Sequence, residues 1–228
     1  MNLVKSLIEI KEASKIYKTG TIETIALNHA NLQVFPQEFT VLAGPSGSGK
    51  TTLLNLIGGL DQPTSGEIYF DGHAMHQLRQ KELTQIRLNK IGFVFQAYNL
   101  IPVLTALENV EYIMLLQKRD AKERRTKALE ILEEVGLKDY VNRRPPEMSG
   151  GQQQRIAVAR AIVSEPKLIL ADEPTANLDS TTANKLLDLM QHMNEKHGIT
   201  FIFSTHDQKI IDRAKRIVRL EDGKIVSQ

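Results

Sequence analysis

Residues 44–51 read GPSGSGKT, between a short β-branched run and a run with helical periodicity. Glycines let the backbone of such a loop curl so that its N–H groups point inward, and a helix start adds a favourable dipole for an anion. Lys50 adds a cation for the β- and γ-phosphates, and Thr51 adds a hydroxyl for Mg²⁺. The pattern therefore predicts a phosphate-binding loop rather than a plain strand-to-helix turn.

Two adjacent carboxylates, Asp172 and Glu173, end the apolar run in LILADEP (168–174). In a parallel sheet, ligands bind at the carboxyl ends of the strands. Neighbouring residues there face different directions, so one carboxylate can hold Mg²⁺ while the other meets the attacking water. We assign Asp172 to the metal and Glu173 to the general base. An isolated Asp-Glu pair is usually a solvated turn, but the phosphate loop in the same chain favours the functional interpretation.

Three further side chains lie where they could contribute to the same chemistry. His206 follows TFIFST, where it could contact the γ-phosphate and orient the water. Gln96 ends IGFVFQ, where it could touch both Mg²⁺ and that water, although a surface glutamine is the alternative. Tyr17 could stack on adenine, an interaction worth roughly 1–3 kcal/mol, whereas tyrosine in an edge strand is more often a packing residue.

The elements that must position these residues alternate between short β-rich runs and helical patterns, which is typical of an α/β protein with a largely parallel sheet. Four runs are predicted as buried central strands: FTVLAG (39–44), IGFVF (91–95), KLILA (167–171) and TFIFST (200–205). The first forty residues and GEIYFD (66–71) favour antiparallel strands, and EDGKIV contains the Asp-Gly of a tight hairpin. We place these antiparallel strands at an edge.

Residues 97–165 are helical in period, with one apolar face on the run that ends at Gly136. That face comprises Ala128, Ile131, Leu132 and Val135. We predict one domain over 1–228, of the α/β class. Residues 1–96 and 166–228 would form a P-loop NTPase core with a mainly parallel sheet and an antiparallel β edge subdomain, and 97–165 an inserted α-helical subdomain.

Composition excludes several classes of protein. The 29 Lys and Arg against 27 Asp and Glu give a formal charge of +2, which does not favour nucleic-acid binding. The absence of cysteine excludes disulfides and thiolate metal sites. The longest apolar runs are strand-sized, and Glu108 and Glu111 interrupt the apolar stretch 104–117, so we expect no membrane span and no signal peptide.

The motifs GPSGSGKT, FQ, MSGGQQQR, LILADEP, NLD and STHD, in that order, resemble the ATPase subunit of ATP-binding-cassette (ABC) transporters over nearly the whole chain. Many NTPases share a phosphate loop, whereas Ser-Gly-Gly-Gln shortly before LILADE is specific to this family. Met148 replaces the commoner leucine, a volume-conserving change that should cost little. The resemblance implies an active ATPase with ATP and Mg²⁺ as cofactors.

The resemblance also implies a role for each matching residue. It makes Gln96 the sensor glutamine and His206 the switch histidine, beside Glu173 and Lys50 in the catalytic set. The implied Mg²⁺ ligands are Thr51, Gln96 and Asp172. The implied ATP contacts in the same subunit are Tyr17, Gly44, Pro45, Ser46, Gly47, Ser48, Gly49, Lys50, Thr51 and Thr52. The implied contacts with ATP of the opposite subunit are Ser149, Gly150, Gly151, Gln152 and Asp179.

The stretch MSGGQQQR (148–155) also has a physical argument of its own. Ser149 and Gln152 satisfy the S-x-x-Q pattern of a capping box. Capping alone does not require Gly150 and Gly151, each of which sacrifices up to about 1 kcal/mol of helix propensity. Uncrowded N–H groups at a helix start suit an anion. Since the chain's own phosphate loop already wraps one side of a triphosphate, we expect this stretch to serve the γ-phosphate bound by another copy.

Finer similarity, in GGLDQPTSGEI, IGFVFQAYNLIPVLTALENVE and RRPPEMSGGQQQR, is to the subfamily serving lipoprotein release and macrolide and peptide export. It implies an ATP-sandwich homodimer and a separate integral membrane permease docked near Gln96–Val110, with the ATPase cytoplasmic and peripheral on the inner face of the cell membrane. The apolar residues of the docking segment either line that groove or pack the helical subdomain: Leu100, Ile101, Leu104 and Leu107. A permease of the cell-division or importer class is the alternative, followed by a non-transport ABC ATPase.

Overall fold

The computed structural model describes residues 5–212 and 214–228, which form two compact units. The first contains the described parts of 1–85 and 200–228, and the second contains 86–199. The strands are β1 (Ile8–Thr19), β2 (Ile22–Val34), β3 (Phe39–Ala43), β4 (Ser65–Phe70), β5 (His73–Ala74), β6 (Ile91–Phe95), β7 (Leu168–Asp172), β8 (Thr200–Thr205), β9 (Arg216–Glu221) and β10 (Lys224–Ser227). The α-helices are α1 (Lys50–Ile57), α2 (Gln80–Lys90), α3 (Ala106–Leu116), α4 (Ala121–Glu134), α5 (Gly150–Ile162), α6 (Ser180–His197) and α7 (Gln208–Ile211).

The antiparallel sheet of the first unit has the strand order β2-β1-β4-β5. Ile8 lies between Val34 on β2 and Phe70 on β4, and all three side chains are fully buried. Cross-strand packing of this kind sets the register of a sheet with one buried face. The predicted antiparallel strands in the first forty residues and in 66–71 are confirmed.

The parallel strands of the first unit position the phosphate loop. β3 pairs in parallel with both β8 and β9, so that Ala43 lies opposite Thr205 on one side and Arg219 on the other. The residues that follow Ala43 and Thr205 therefore lie at the same sheet edge. β9 and β10 form the predicted hairpin, in which Asp222 and Gly223 both have positive φ, as a two-residue turn of this type requires.

The second unit combines two parallel strands with four helices. β6 and β7 pair from Ile91 opposite Leu168 to Phe95 opposite Asp172. α5 packs directly on β6, where a Cβ on Gly92 would lie 2.5 Å from the carbonyl oxygen of Ala161. The predicted apolar face of α4 is buried, and Gly136 follows this helix with φ +74°. Together the two units confirm the predicted α/β class, with parallel strands, an antiparallel sheet and a group of helices in the interval 97–165.

Two helices of the second unit, α3 and α4, begin at side-chain caps. Thr105 and Glu108 form a capping box at α3, and Asp120 caps α4. Caps of this type satisfy backbone N–H groups that have no partner within the helix. In the described part of the chain, none of the helices combines the length and apolar character needed to cross a bilayer.

Candidate active site

The phosphate loop links β3 to α1 through backbone that only glycine can adopt. Gly49 is the N-cap of α1 with φ +101°, and a Cβ there would lie 2.5 Å from the carbonyl oxygen of Ala26. A Cβ on Gly44 would collide with the carbonyl oxygen of Leu220 and lie 2.7 Å from Ser48 Oγ. The curled backbone predicted for this loop is therefore fixed by its neighbours as well as by its own composition.

Polar groups inside this loop fit a phosphate. Lys50 is only 6% exposed, and its ammonium donates hydrogen bonds to the carbonyl oxygens of Gly44 (2.8 Å) and Pro45 (2.9 Å). Ser48 Oγ is buried with no hydrogen-bond partner among the described residues. The N-cap of α1 is Gly49, which has no side chain with which to cap the first turn. A buried hydroxyl, a buried cation and an uncapped helix start form the donor set that an anion requires.

His206 lies at the mouth of this loop. It directly follows β8, is exposed, and lines a cavity of about 220 Å³ together with Gly44 and Pro45. Arg219 and Glu221 of β9 line the same cavity, and sequence reasoning missed both. Only the parallel pairing of β3 with β9, which places Arg219 opposite Ala43, brings these two residues close to the phosphate loop.

Tyr17 is joined to the first turn of α1 and to the loop that follows this helix. Its ring is 40% exposed, and its hydroxyl donates a hydrogen bond to Asp61 Oδ2 at 2.9 Å. Burial and the hydrogen bond to Asp61 raise the pKa of Tyr17, whereas a hydrogen bond from Thr52 opposes the shift. The ring thus adjoins the segment predicted to hold phosphates.

Gln96, Asp172 and Glu173 are brought together in the second unit. Because Phe95 pairs with Asp172 in the parallel ladder, Gln96 and Glu173 follow at the same edge of that strand pair. Asn177 Nδ2 donates a hydrogen bond to the Gln96 carbonyl oxygen at 3.0 Å, which holds the start of the following loop.

Glu173 has a backbone conformation that the sequence did not predict. Its φ is +46°, in the left-handed region that residues other than glycine rarely adopt. Strain of this kind persists where the surrounding structure imposes it, and it concentrates at functional sites. Glu173 thus leaves the extended backbone of β7 directly after Asp172.

Arg160 holds the loop after Gln96, and sequence reasoning missed it. Tyr98 and Asn99 have φ of +59° and +49°. The Arg160 guanidinium donates hydrogen bonds to the carbonyl oxygens of Asn99 (2.6 Å) and Tyr98 (3.0 Å), and burial lowers its pKa. A planar guanidinium can bond two adjacent carbonyls at once, so α5 fixes two consecutive left-handed residues.

Replacing Arg160 with methionine is expected to lower the free energy of unfolding by about 1–3 kcal/mol, because two loop carbonyls lose their donors. Urea unfolding of the purified chain measures this. Arg125→Met is the matched control, since the Arg125 side chain is 61% exposed and its ion pair with Glu111 is long, at 3.9 Å. An equal loss of stability in both variants would contradict the role of Arg160.

The start of α5 is a capping box and also a close packing point. Ser149 Oγ accepts a hydrogen bond from the Gln152 N–H (3.3 Å), and Gln152 Oε1 accepts one from the Ser149 N–H (2.9 Å). A Cβ on Gly150 would lie 2.7 Å from the Tyr98 hydroxyl, and one on Gly151 would lie 2.6 Å from Thr182 Cγ2. Both glycines thus have a packing reason that the sequence analysis did not anticipate, beside the predicted anion-binding role.

Asp179 has a structural role in this chain. It is the N-cap of α6, and its carboxylate accepts hydrogen bonds from the N–H groups of Thr181 (3.0 Å) and Thr182 (3.1 Å). Hydrogen bonds from Thr182 and Thr181 lower the pKa of Asp179, so the cap is anionic at neutral pH. Because Thr182 also contacts the start of α5 at Gly151, the two segments predicted to face an opposite subunit are neighbours.

The burial of the apolar residues in Gln96–Val110 separates the two roles that the sequence left open for them. Leu107 is 2% exposed on the inner face of α3, so it packs the helical core and does not line a docking groove. Leu100, Ile101 and Leu104 are half-buried, whereas Val103, which the sequence analysis did not single out, is 70% exposed. Apolar residues with helical spacing share one face of a helix, but the spacing does not say whether that face packs the core or is exposed. Only the packing of α3 settles this for Leu107.

Comparison with known proteins shows the family. The family model described as "ABC transporter" matches residues 27–176. An uncharacterized ABC transporter ATP-binding protein of Thermotoga maritima is 46% identical over 97% of this chain and 94% of its own length. The macrolide export ATP-binding/permease protein MacB of Syntrophobacter fumaroxidans is 43% identical over 96% of this chain and 31% of its own length.

Solved structures agree with these relatives. The chain superimposes on the ATP-binding cassette MJ0796, solved as a dimer in a post-hydrolysis state with ADP and Pi, with a TM-score of 0.89. The two are 46% identical, and the match covers 96% of this chain and 97% of that one. The corresponding curated protein, from Methanocaldococcus jannaschii, is an uncharacterized ABC transporter ATP-binding protein that is 48% identical to this chain over 96% of this chain and 95% of its own length. This chain therefore belongs to the ABC transporter ATP-binding family, and it is an ATPase that binds ATP and hydrolyses it to ADP and phosphate.

Proposed function

We propose that two copies of this ATPase enclose two ATP molecules between them, and that closing and reopening of this dimer drive a separate membrane permease of the lipoprotein-release or macrolide-export type. The observation that carries the proposal is the start of α5, a second glycine-containing helix start in a chain that already has a phosphate loop. The dimeric state of the solved relative MJ0796 supports it.

In the proposed dimer, each ATP is shared between copies. One copy contributes Gly44–Thr52 around the phosphates and Tyr17 beside adenine. The other contributes Ser149, Gly150, Gly151, Gln152 and Asp179. A Ser149 hydroxyl that accepts from Gln152 N–H still has a proton to donate to a phosphate oxygen. The capping box and the phosphate contact are therefore compatible.

Hydrolysis requires a base, an orienting group and charge neutralisation. Glu173 accepts the proton of the attacking water, and His206 and Gln96 orient that water. Lys50 stabilises charge on the transferred phosphoryl group. Thr51, Gln96 and Asp172 are the proposed protein ligands of Mg²⁺, which would neutralise charge on the phosphate oxygens. Mg²⁺ at phosphates commonly uses only one or two carboxylates, so this site does not need a cluster of acidic residues.

The permease is proposed to dock on Gln96–Val110. Val103 is a large apolar residue of this segment that is 70% exposed, and Leu100, Ile101 and Leu104 are near it in sequence. Asn109 holds the loop within this segment in place, because its side chain accepts a hydrogen bond from the Ile101 N–H (2.8 Å) and donates one to the Ile101 carbonyl (3.1 Å). A preformed loop of this kind suits transmission of movement. The chain would then reside at the cytoplasmic face of the cell membrane through its partner.

The MacB relative supports a permease partner, because its name combines ATP-binding and permease functions while this chain matches 31% of its length.

Affinity purification of this protein from its native membrane, followed by identification of the co-purifying proteins, tests the proposal. An integral membrane protein of the export type is the expected result. A permease of the importer or cell-division class would correct the subfamily, and recovery with ribosomes or DNA alone would overturn the transport role.

A further inference from the structure

Asp61, in the loop between α1 and β4, connects two residues of β1. Its Oδ2 accepts the hydrogen bond from the Tyr17 hydroxyl at 2.9 Å, and its Oδ1 accepts one from Lys15 Nζ at 2.6 Å. Although partial burial acts to raise the pKa of Asp61, the hydrogen bonds from Lys15 and Tyr17 hold it below its usual value. The carboxylate is therefore ionised at neutral pH and able to accept both bonds.

Lys15 covers one face of the Tyr17 ring. Its ammonium lies 4.9 Å from the centroid of the Tyr17 ring, and it also donates a hydrogen bond to the Gln62 carbonyl at 2.8 Å. The Lys15 side chain is 14% exposed. A cation over an aromatic ring occupies one face. One face of Tyr17 is consequently covered, and the opposite face is the one on which a base can stack.

The loop that carries Asp61 is anchored to α1 and to β1. The N–H groups of Leu60 and Asp61 both donate to the Asn55 carbonyl in α1, at 2.9 and 3.3 Å. Thr64 Oγ accepts a hydrogen bond from the Ile16 N–H at 3.0 Å. With Thr52 also bonded to the Tyr17 hydroxyl, the ring is tied to both ends of the helix that begins at the phosphate loop.

We infer that Asp61 is a positioning residue for adenine: through its bonds to Tyr17 and Lys15 it fixes the stacking face at a set distance from the phosphate loop. This inference rests on the proposed role of Tyr17. Holding an aromatic ring in its bound orientation before the ligand arrives raises affinity, because less freedom is lost on binding. We expect the effect on the base and not on the phosphates, because the hydrogen bonds recorded for the Asp61 carboxylate among the described residues come from Tyr17, Lys15 and the Gln62 N–H.

The test compares two ligands that differ in the base. Binding of ADP and of pyrophosphate, each with Mg²⁺, is measured by titration calorimetry on the full chain. Asp61→Asn turns one of the two accepting oxygens into an NH2 donor, so the separate bonds from Tyr17 and Lys15 to Oδ2 and Oδ1 cannot both persist. Tyr17→Phe removes the tyrosine hydroxyl and keeps the ring. Each is expected to weaken ADP binding by about 3- to 10-fold and to leave pyrophosphate binding unchanged. The double variant should weaken ADP binding by less than the product of the two single effects, because both variants lose the hydrogen bond between Tyr17 and Asp61.

Comparing Tyr17→Ala with Asp61→Asn distinguishes the positioning role of Asp61 from the adenine contact of Tyr17. Tyr17→Ala should weaken ADP binding by roughly 5- to 150-fold, the range expected for loss of stacking on one base. If Tyr17→Ala weakens ADP binding and Asp61→Asn does not, the positioning role is wrong and the adenine contact stands. If Tyr17→Ala has no effect, the adenine contact itself is wrong. If Asp61→Asn weakens the binding of ADP and of pyrophosphate equally, Asp61 supports the phosphate loop and the positioning role is wrong. The control is Asp139→Asn, at an exposed residue of the second unit, which should alter the binding of neither ligand.

Discussion

Replacing Glu173 with glutamine is expected to reduce ATP hydrolysis at least on the order of 100-fold while ATP binding persists, because the isosteric amide cannot accept the proton of the attacking water. The residue follows Asp172 at the end of β7, at the edge where Gln96 follows β6. Phosphate release under saturating ATP and Mg²⁺ measures the loss. Light scattering after gel filtration measures the dimer, which should accumulate because the bound ATP is not consumed.

Glu133→Gln provides the matched control for this variant. Glu133 is 60% exposed on α4, where it pairs with Lys138, so the same chemical change there should leave turnover unaltered. Unchanged hydrolysis in the Glu173→Gln chain would remove Glu173 from the role of general base. Loss of ATP binding together with hydrolysis would show instead that the substitution disturbs the nucleotide site.

Replacing Ser149 with arginine in a Glu173→Gln background is expected to abolish ATP-driven dimerisation. Ser149 begins α5 in the second unit, whereas Lys50 and the phosphate loop belong to the first unit. A bulky cation at the proposed interface should therefore block the second copy and leave ATP binding by the monomer nearly intact. The mass of the chain with and without ATP and Mg²⁺ gives the readout.

The Ser149→Arg change also removes a capping box, and its stability effect must be separated from its interface effect. Loss of such a cap costs about 0.5–2 kcal/mol. Thr105→Ala removes the equivalent box at α3 and lies in another segment, so this control should lose similar stability and still dimerise. Failure of the Ser149→Arg monomer to bind ATP would contradict the shared-site model at this residue.

Much of the local architecture followed from sequence patterns. The buried strands β3, β6, β7 and β8 coincide with apolar runs that end in turn or polar residues, and the Asp-Gly hairpin forms the tight turn that its residues favour. The phosphate loop was predictable because its glycines, lysine and threonine are contiguous. In each case the determinants lie within about ten residues of one another, which is the range over which propensity and periodicity carry information.

Features that depend on distant neighbours were not predictable. Gly150 and Gly151 are constrained by Tyr98 and Thr182, roughly 30 to 50 residues away in sequence, and the carbonyls that Arg160 binds become visible only when the loop after β6 is placed. The positive φ of Glu173 likewise has no signal in the local sequence. Asp179 is different, because an acidic residue directly before a helical run is a recognisable N-cap signal.

The central claim is that each ATP is shared by the phosphate loop of one copy and the α5 start of another. A mixture of Lys50→Ala chains and Ser149→Arg chains tests it most directly, since only a mixed dimer contains one complete site and carries the arginine in one of its two shared sites rather than in both. Each variant alone should lack ATP hydrolysis, and the mixture should regain part of it. Adding Glu173→Gln to the Ser149→Arg chain should abolish the regained activity, whereas adding it to the Lys50→Ala chain should not. No recovery on mixing two folded chains, or the same effect of Glu173→Gln in either partner, would contradict the account.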